Sequence, residues 1–258
     1  MAKTKAVCLV CGESLVYWEE AREITCSICG KSEFAHNVCE AGHYVCDACH
    51  RAKGVDYIMG LCSRSESVNP IEIMAQAMGD KSIYPNGPEH HTLVGASIIT
   101  AYANAGGTFP HGWDKDQALA EMKKRSLQVP GGACGFWGTC GAAVSAGQAM
   151  SVINGSTPLT QEPWAQCQRL TSLVLGRLAD IGGPRCCKRV GYVALVTAVP
   201  YINDLMGVNM QLPEQITCSF FNRNAECRRN RCPWFPNADE DMKAAFQPGA
   251  TTKNADGR

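Results

Sequence analysis

The sequence predicts a small β-rich, metal-binding module at the N-terminus, followed by an all-α helical-bundle domain. Two observations support this prediction. Cysteines at metal-ligand spacing dominate the first 53 residues, whereas apolar residues at helical spacing, interrupted by glycine and proline, dominate from Tyr57 onward. We therefore assign residues 1–53 to the module and 54–236 to a cysteine-rich helical domain. Residues 237–258 are assigned to a flexible tail, because this last stretch is mostly polar.

The module contains three Cys-x2-Cys pairs and several histidines, with short β-branched and aromatic stretches between them. A Cys-x2-Cys turn on a hairpin lets a tetrahedral zinc ion replace the core that so short a segment cannot build. This is the pattern of zinc ribbons and treble clefs, and it predicts two zinc ions. The expected ligands are Cys8, Cys11, Cys26, Cys29, Cys39, His43, Cys46 and Cys49.

The eighth ligand and the pairing of the cysteines stay open at this point. The run from Gly42 to Cys46 resembles the ligand hairpin of RING-type domains, which favours His43. A cross-brace of the PHD kind would use His36 instead. Spacing alone does not say which pairs share an ion.

Six helices are expected in the second part, with Asn69 and Asp114 as N-caps of the first and third. Short or moderate connections between them favour a bundle. The expected helices are 71–78, 93–105, 115–127, 142–153, 162–181 and 187–206.

Two glycine-rich loops run into helices and carry cysteines where the helices start. Cys134 and Cys140 lie in the loop around 130–141, and Cys186 and Cys187 follow Gly-Gly-Pro-Arg. Unpaired N–H groups and the dipole at a helix N-terminus favour a thiolate or a bound anion. We therefore expect a cluster or a reactive thiol there.

A cysteine-ligated iron–sulfur cluster needs four thiolates, and the helical part offers seven in loops or at helix starts. The candidate cofactor ligands are Cys134, Cys140, Cys186, Cys187, Cys218, Cys227 and Cys232. Cys232 precedes a proline, as the last cysteine of the bacterial ferredoxin run does, although the spacing of the other cysteines differs from that run. Cys167 lies among apolar neighbours, which indicates a small buried side chain.

The candidate catalytic residues combine thiols, cations and proton carriers. Arg185, Lys188 and Arg189 flank two cysteines and would offset negative charge, whereas Glu89 or His90 would move protons. The competing interpretations are that the thiols are inert, that the cations form a solvated face and that Glu89 caps a helix. The candidate set is Glu89, His90, Cys140, Cys187, Arg185 and Lys188.

Composition excludes several classes of function. Twenty-four basic and 24 acidic residues give no net charge, so nucleic-acid or membrane-surface binding is not expected. No apolar run suits a signal peptide or a membrane span, and no P-loop, nucleophile elbow or dinucleotide motif is present. Sixteen cysteines without an export signal indicate metals in a reducing cytoplasm, as in an anaerobe.

The chain resembles an uncharacterised family of anaerobic bacteria and archaea, in which a zinc-ribbon-like segment can precede a helical cysteine-rich domain, sometimes found with radical-SAM enzymes. The landmarks are Cys39 to His50, Gly-Pro-Glu-His-His at 87–91, the loops at 130–142 and 182–189, and Cys232-Pro. The run beginning at Cys140 is also similar, more distantly, to the redox-active C-G-C-A-x-x-G family, although its flanking residues depart from that pattern. That similarity implies redox or cluster chemistry at Cys140 and Cys186 or Cys187.

Three functions follow as hypotheses. The first is a cytoplasmic metalloprotein with two structural zinc ions and an iron–sulfur-type cluster, acting in redox chemistry, sulfur transfer or modification of a small-molecule or protein substrate. The second is a non-enzymatic accessory module for a radical-SAM or other anaerobic enzyme. The third is a thiol–disulfide reductase without a cluster. The first requires that the thiols of Cys140 and of Cys186 or Cys187 meet in one pocket at the N-terminal ends of packed helices. The oligomeric state stays open.

Overall fold

The computed structural model describes residues 8–249 of the 258-residue chain. A two-stranded sheet precedes a set of helices, so the predicted fold class, a β-rich module followed by a helical domain, is confirmed. The strands are β1 (Leu15–Thr25) and β2 (Ser32–Cys39). The helices of this part of the chain are α1 (Asp47–Arg64), α2 (Pro70–Gly79), α3 (Glu89–Asn104), α4 (Lys115–Ser126), α5 (Ala133–Phe136), α6 (Gly141–Asn154), α7 (Glu162–Ile181), α8 (Cys187–Met206) and α9 (Glu240–Phe246).

The sheet is an antiparallel hairpin whose turn carries a Cys-x2-Cys pair. Its register runs from Leu15 opposite Cys39 to Thr25 opposite Ser32, with an irregularity between Tyr17 and Arg22. Most of its side chains are exposed or only partly buried. Since a lone hairpin is marginal in water, this module needs a further source of stability.

Helix α3 lies at the centre of the helical domain. It is buried along most of its length and packs against α1, α2, α4, α6 and α8. Gly95 lies where α3 meets its neighbours, and any larger residue there would collide with Met122 and Ser145. Close approach of the backbones therefore explains the small residues of this helix.

All six predicted helices are present, and the two predicted caps are confirmed. Asn69 accepts hydrogen bonds from the first turn of α2, and Asp114 forms a capping box with Gln117 on α4. Helix α1 was not expected in full, and the boundary drawn at 53/54 falls inside it. Cysteine ligands occupy its first turn, so the periodic apolar pattern there is weak.

Residues 237–258, which the sequence assigns to a flexible tail, include a further helix. Residues of α9 are helical, and Phe246 is buried. The side chain of Gln247 donates to the carbonyls of Ile216 and Pro233 and accepts from the N–H of Ile216, which ties the segment to the preceding loop. Residues 250–258 lie outside the described part of the chain.

Among the helices described between residues 8 and 249, none combines the length and the apolar character that crossing a bilayer requires.

Candidate metal centres and a cysteine-lined cavity

The eight predicted zinc ligands converge as two sets of four. Within each set the ligand atoms all lie within 4.8 Å of one another. The sets alternate along the chain: the first and third pairs form one site, and the second and fourth form the other. The sets are Cys8, Cys11, Cys39 and His43, and Cys26, Cys29, Cys46 and Cys49. The module is therefore cross-braced, which spacing alone did not reveal.

The ligand atoms of the first site are spaced as they are around a tetrahedrally coordinated metal ion. Cys11 Sγ lies 3.7 Å from Cys39 Sγ, and His43 Nδ1 lies 3.3 Å from Cys11 Sγ. Zinc–sulfur bonds of about 2.3 Å in a tetrahedron hold sulfurs about 3.8 Å apart. The backbone N–H groups of Val10 and His43 donate to Cys8 Sγ and Cys39 Sγ, which stabilises thiolates.

The second site replaces a core. Only four residues form the buried apolar cluster here, and two of them, Cys26 and Cys46, belong to the site. Cys29 Sγ lies 3.7 Å from Cys46 Sγ. Burial opposes ionisation of Cys26, but backbone N–H groups, including those of Cys46 and Ile28, outweigh it and lower the pKa of Cys26 to about 6. Both sites therefore suit an ion held by thiolates.

His36 belongs to neither set. Its ring stacks on Phe136 with centroids 4.1 Å apart, and its Nδ1 lies 3.3 Å from the carbonyl oxygen of Trp18. His43 occupies the fourth position of the first site instead. The structure therefore favours the RING-like alternative for the eighth ligand.

We expect His43→Ala to lower the zinc content from two ions to one per chain, because three thiolates leave the first site open. His36→Ala is the matched control and keeps both ions. Native mass spectrometry of the two variants measures this directly. Loss of an ion from the His36 variant, or retention of two by the His43 variant, contradicts the assignment.

The module contacts the helical domain through several polar contacts. Asp47, in the first turn of α1, accepts from the N–H of Gly131 in the glycine-rich loop. The Arg51 guanidinium donates to the carbonyls of Leu127 and Val129. Arg185 reaches the hydroxyl of Tyr17 on β1 at 3.4 Å, so it supports this contact between the two parts.

Four of the seven candidate cofactor cysteines line one cavity in the helical domain. These are Cys186, before α8, and three cysteines from the loop that follows α8, namely Cys218, Cys227 and Cys232. Lys188, Arg189, Asn224 and aromatic side chains complete the walls. Cysteines 46 residues apart in sequence, such as Cys186 and Cys232, therefore share one cavity.

The hydrogen bonds to sulfur in this cavity repeat those of the N-terminal metal-binding module. The N–H of Phe220 donates to Cys218 Sγ at 3.4 Å and the N–H of Arg229 donates to Cys227 Sγ at 3.5 Å, each two residues after its cysteine. Within residues 8–249, no third set of ligand atoms lies within 4.8 Å of one another. These four sulfurs are thus more widely spaced than those of the two compact sites.

The polar groups of the cavity favour an anionic occupant. Lys188 and Arg189 are buried there, and neither has a carboxylate partner within 4.0 Å among the described residues. Burial lowers the pKa of Lys188 to about 8, whereas burial raises the pKa values of Cys218 and Cys232 to about 11. Buried cations next to thiols indicate a site for negative charge, which four thiolates around a cluster would supply.

The other three cofactor candidates do not line this cavity, so the expected meeting of Cys140 with Cys186 or Cys187 does not occur in it. Cys134 is exposed in α5, and Cys140 is the half-buried N-cap of α6. Burial outweighs the N–H groups of α6 and raises the pKa of Cys140, contrary to the thiolate expected from its position. Cys187 does not line the cavity that Cys186 lines, and burial raises the pKa of Cys187 to about 12.

The predicted catalytic residues Glu89, His90 and Lys188 form a buried polar chain. Glu89 Oε1 accepts from the N–H of Tyr84 at 3.1 Å and lies 3.4 Å from His90 Nδ1. His90 Nε2 lies 3.3 Å from Lys188 Nζ, which also donates to the carbonyl of Tyr84. The chain thus runs from α3 to the cavity wall.

The sequence patterns did not identify three groups of side chains at these sites, namely His50, Asn224 and the aromatic residues of the cavity wall. His50 Nδ1 lies 3.9 Å from Glu89 Oε2, which has no hydrogen-bond partner. Its position directly after a zinc ligand gave a signal, because it places His50 on the first turn of α1. Asn224 lies in an irregular loop, where the sequence carries no comparable signal.

Searches of the curated proteins and of the solved structures gave no match to this chain. One family does match, and it covers residues 58–235, which include the four cavity cysteines and most of the helical domain. Both zinc-type sites lie before the matched range. The chain belongs to the family described as "Family of unknown function (DUF5714)".

Proposed function

We propose that this metalloprotein holds two structural zinc ions in its N-terminal module and a cysteine-ligated iron–sulfur cluster in its helical domain. The observation that carries the proposal is the convergence of Cys186, Cys218, Cys227 and Cys232 on one cavity with buried cations. Four cysteines are the number that such a cluster takes. The wider spacing of these sulfurs favours a multi-atom centre over a third zinc ion.

The cavity residues have two proposed roles, which are to ligate the cluster and to balance its negative charge. The four cysteines would ligate it, and Lys188 and Arg189 would offset the negative charge of the thiolates. When bound, such a cluster accepts and donates single electrons, so the proposed activity is redox chemistry or a reaction that depends on it. The chain of Glu89, His90 and Lys188 is placed to hold or move a proton at the cavity wall.

Metal analysis after purification without oxygen tests this proposal. The wild type is expected to contain two zinc ions together with iron and acid-labile sulfide, and to absorb visible light. Cys218→Ala and Cys232→Ala should each lose iron while keeping both zinc ions. Cys167→Ala is the control, because Cys167 is a buried thiol that lies away from the cavity. A colourless wild-type protein with zinc alone would refute the cluster.

An accessory role for a radical-SAM or other anaerobic enzyme is the second candidate. It is favoured by large exposed apolar side chains on the module and on the α5 loop beside it, among them Tyr17, Ile28, Phe34 and Trp137. The same cavity variants separate the two roles. If the function depends on the cluster, cells that carry Cys218→Ala lose it. If the protein is purely an accessory module, these cells keep the function.

The thiol–disulfide alternative receives less support. It would use the cysteine pairs 134/140 or 186/187, and burial raises the pKa of one member of each pair, Cys140 and Cys187. It predicts a reversible two-proton mass change at these cysteines, which intact-mass analysis of the oxidised and reduced protein would detect.

A further inference from the structure

We infer that Arg189 and Asn224 are cluster-binding residues that donate hydrogen bonds to its sulfur atoms and raise its reduction potential. The inference rests on the proposed function, since it concerns the cluster in the same cavity. Neither side chain is a metal ligand. Their role would be to select an anionic, sulfur-rich occupant and to favour its reduced form.

Arg189 carries a buried donor without a partner. Only 3% of the residue is exposed, and it lines the cavity. Its Nη2 donates to the carbonyls of Gly182 and Pro184, which fixes the guanidinium in place, but Nε has no hydrogen-bond partner. Because these carbonyls lie just before Cys186, the same side chain also supports the loop of a proposed ligand.

Asn224, in the loop that follows α8, carries a second buried donor without a partner. Only 8% of the residue is exposed, and it lines the same cavity between Cys218 and Cys227 in sequence. Its Oδ1 accepts from the N–H of Glu226 at 3.0 Å, which settles the orientation of the amide. Its Nδ2 has no hydrogen-bond partner.

Two buried donors without a partner, on two residues that line one cavity, call for acceptor atoms in its occupant, because buried polar groups are nearly always hydrogen-bonded. A bare ion offers no acceptor, whereas the sulfides and thiolates of a cluster do. Hydrogen bonds to these sulfurs are a recognised determinant of cluster potential. They strengthen when the cluster gains an electron and becomes more negative, so they favour the reduced state.

Asn224→Asp is the sharpest variant, because it keeps Oδ1 and replaces the Nδ2 donor with an acceptor of the same size. We expect it to lower the equilibrium constant for one-electron reduction at least tenfold, which is about 59 mV in midpoint potential. Arg189→Lys retains the positive charge and removes the Nε donor, together with the Nη2 hydrogen bonds to Gly182 and Pro184. It should lower the same constant by about tenfold.

Asn222→Asp is the matched control, since it introduces the same charge two residues away on an exposed side chain. Its midpoint should stay much closer to that of the wild type. Redox titration with dithionite, followed by electron paramagnetic resonance, measures all three variants in the full-length protein. Pulsed resonance after exchange into deuterated water gives a second readout, in which couplings from donor deuterons near the cluster disappear in the Asn224 and Arg189 variants.

The outcomes separate this inference from the proposed function. A wild-type protein without iron refutes the proposed cluster itself. If iron-loaded Asn224→Asp and Arg189→Lys both keep the wild-type midpoint and deuteron couplings, the donor role is refuted and the cluster stands. A control shift as large as that of Asn224→Asp also refutes direct donation. Should one variant fail to fold, the other carries the test.

Discussion

Cys46→Ala is expected to release one of the two zinc ions and to unfold the N-terminal module. Cys46 is buried, caps α1 and shares its site with Cys26, Cys29 and Cys49. A structural zinc ion contributes about 10–16 kcal/mol of apparent binding free energy in small zinc domains, which is also folding free energy. The apolar cluster around this site is only four residues, so packing cannot compensate for the loss.

Native mass spectrometry and amide exchange measure this result. The variant should carry one zinc ion, and the amides of β1 and β2 should exchange much faster than in the wild type. Cys62→Ala is the control, because it removes a fully buried thiol from the core of the helical domain. It should keep both ions and the protection of the hairpin. Two ions in the Cys46 variant would contradict the assignment of the second site.

Trp234→Ala is expected to lower the free energy of unfolding by about 3–5 kcal/mol. Trp234 is fully buried, packs edge-on against Tyr192 with ring centroids 5.8 Å apart, and donates from Nε1 to the carbonyl of Arg189. It also forms part of the cavity wall. The substitution removes a large apolar volume from the cavity wall together with the indole hydrogen bond to that carbonyl, so the iron content expected from the proposed cluster should fall as well.

Urea unfolding under anaerobic conditions gives the change in stability. Trp164→Ala is the matched control, since its side chain on α7 is 48% exposed. Surface substitutions of this kind usually change stability by about 0.5 kcal/mol or less. Equal losses in the two variants would show that Trp234 does not anchor the loop after α8.

The metal ligands were the most predictable part of this protein. Local spacing identified the seven cysteines. The resemblance of the run from Gly42 to Cys46 to the ligand hairpin of RING-type domains favoured His43, which the structure places in the first site. The pairing was not predictable, because Cys-x2-Cys turns look alike in sequence and only the hairpin decides which turns meet. Here the hairpin places Cys39, at the end of β2, opposite Leu15, close to the first turn.

The helical domain was predictable where helices are long and end at glycine or proline. The cavity was not, because it forms between Cys186 and a loop with little regular structure. Seven cysteines of the helical domain met the local criteria for cluster ligands, and only the tertiary fold shows that four of them line one cavity. Cys140 illustrates the limit, since burial overrides the effect of its helix position on the pKa.

The alternation of ligands along the module has a consequence for synthesis of the protein. The first site is incomplete until His43 has been translated, and the second until Cys49. A nascent chain thus holds four or more free thiols before either ion can be fully enclosed, and both sites then close within a few codons of each other. The second site includes the N-cap of α1, so the start of that helix stays without its metal ligand set until almost the whole module has been translated.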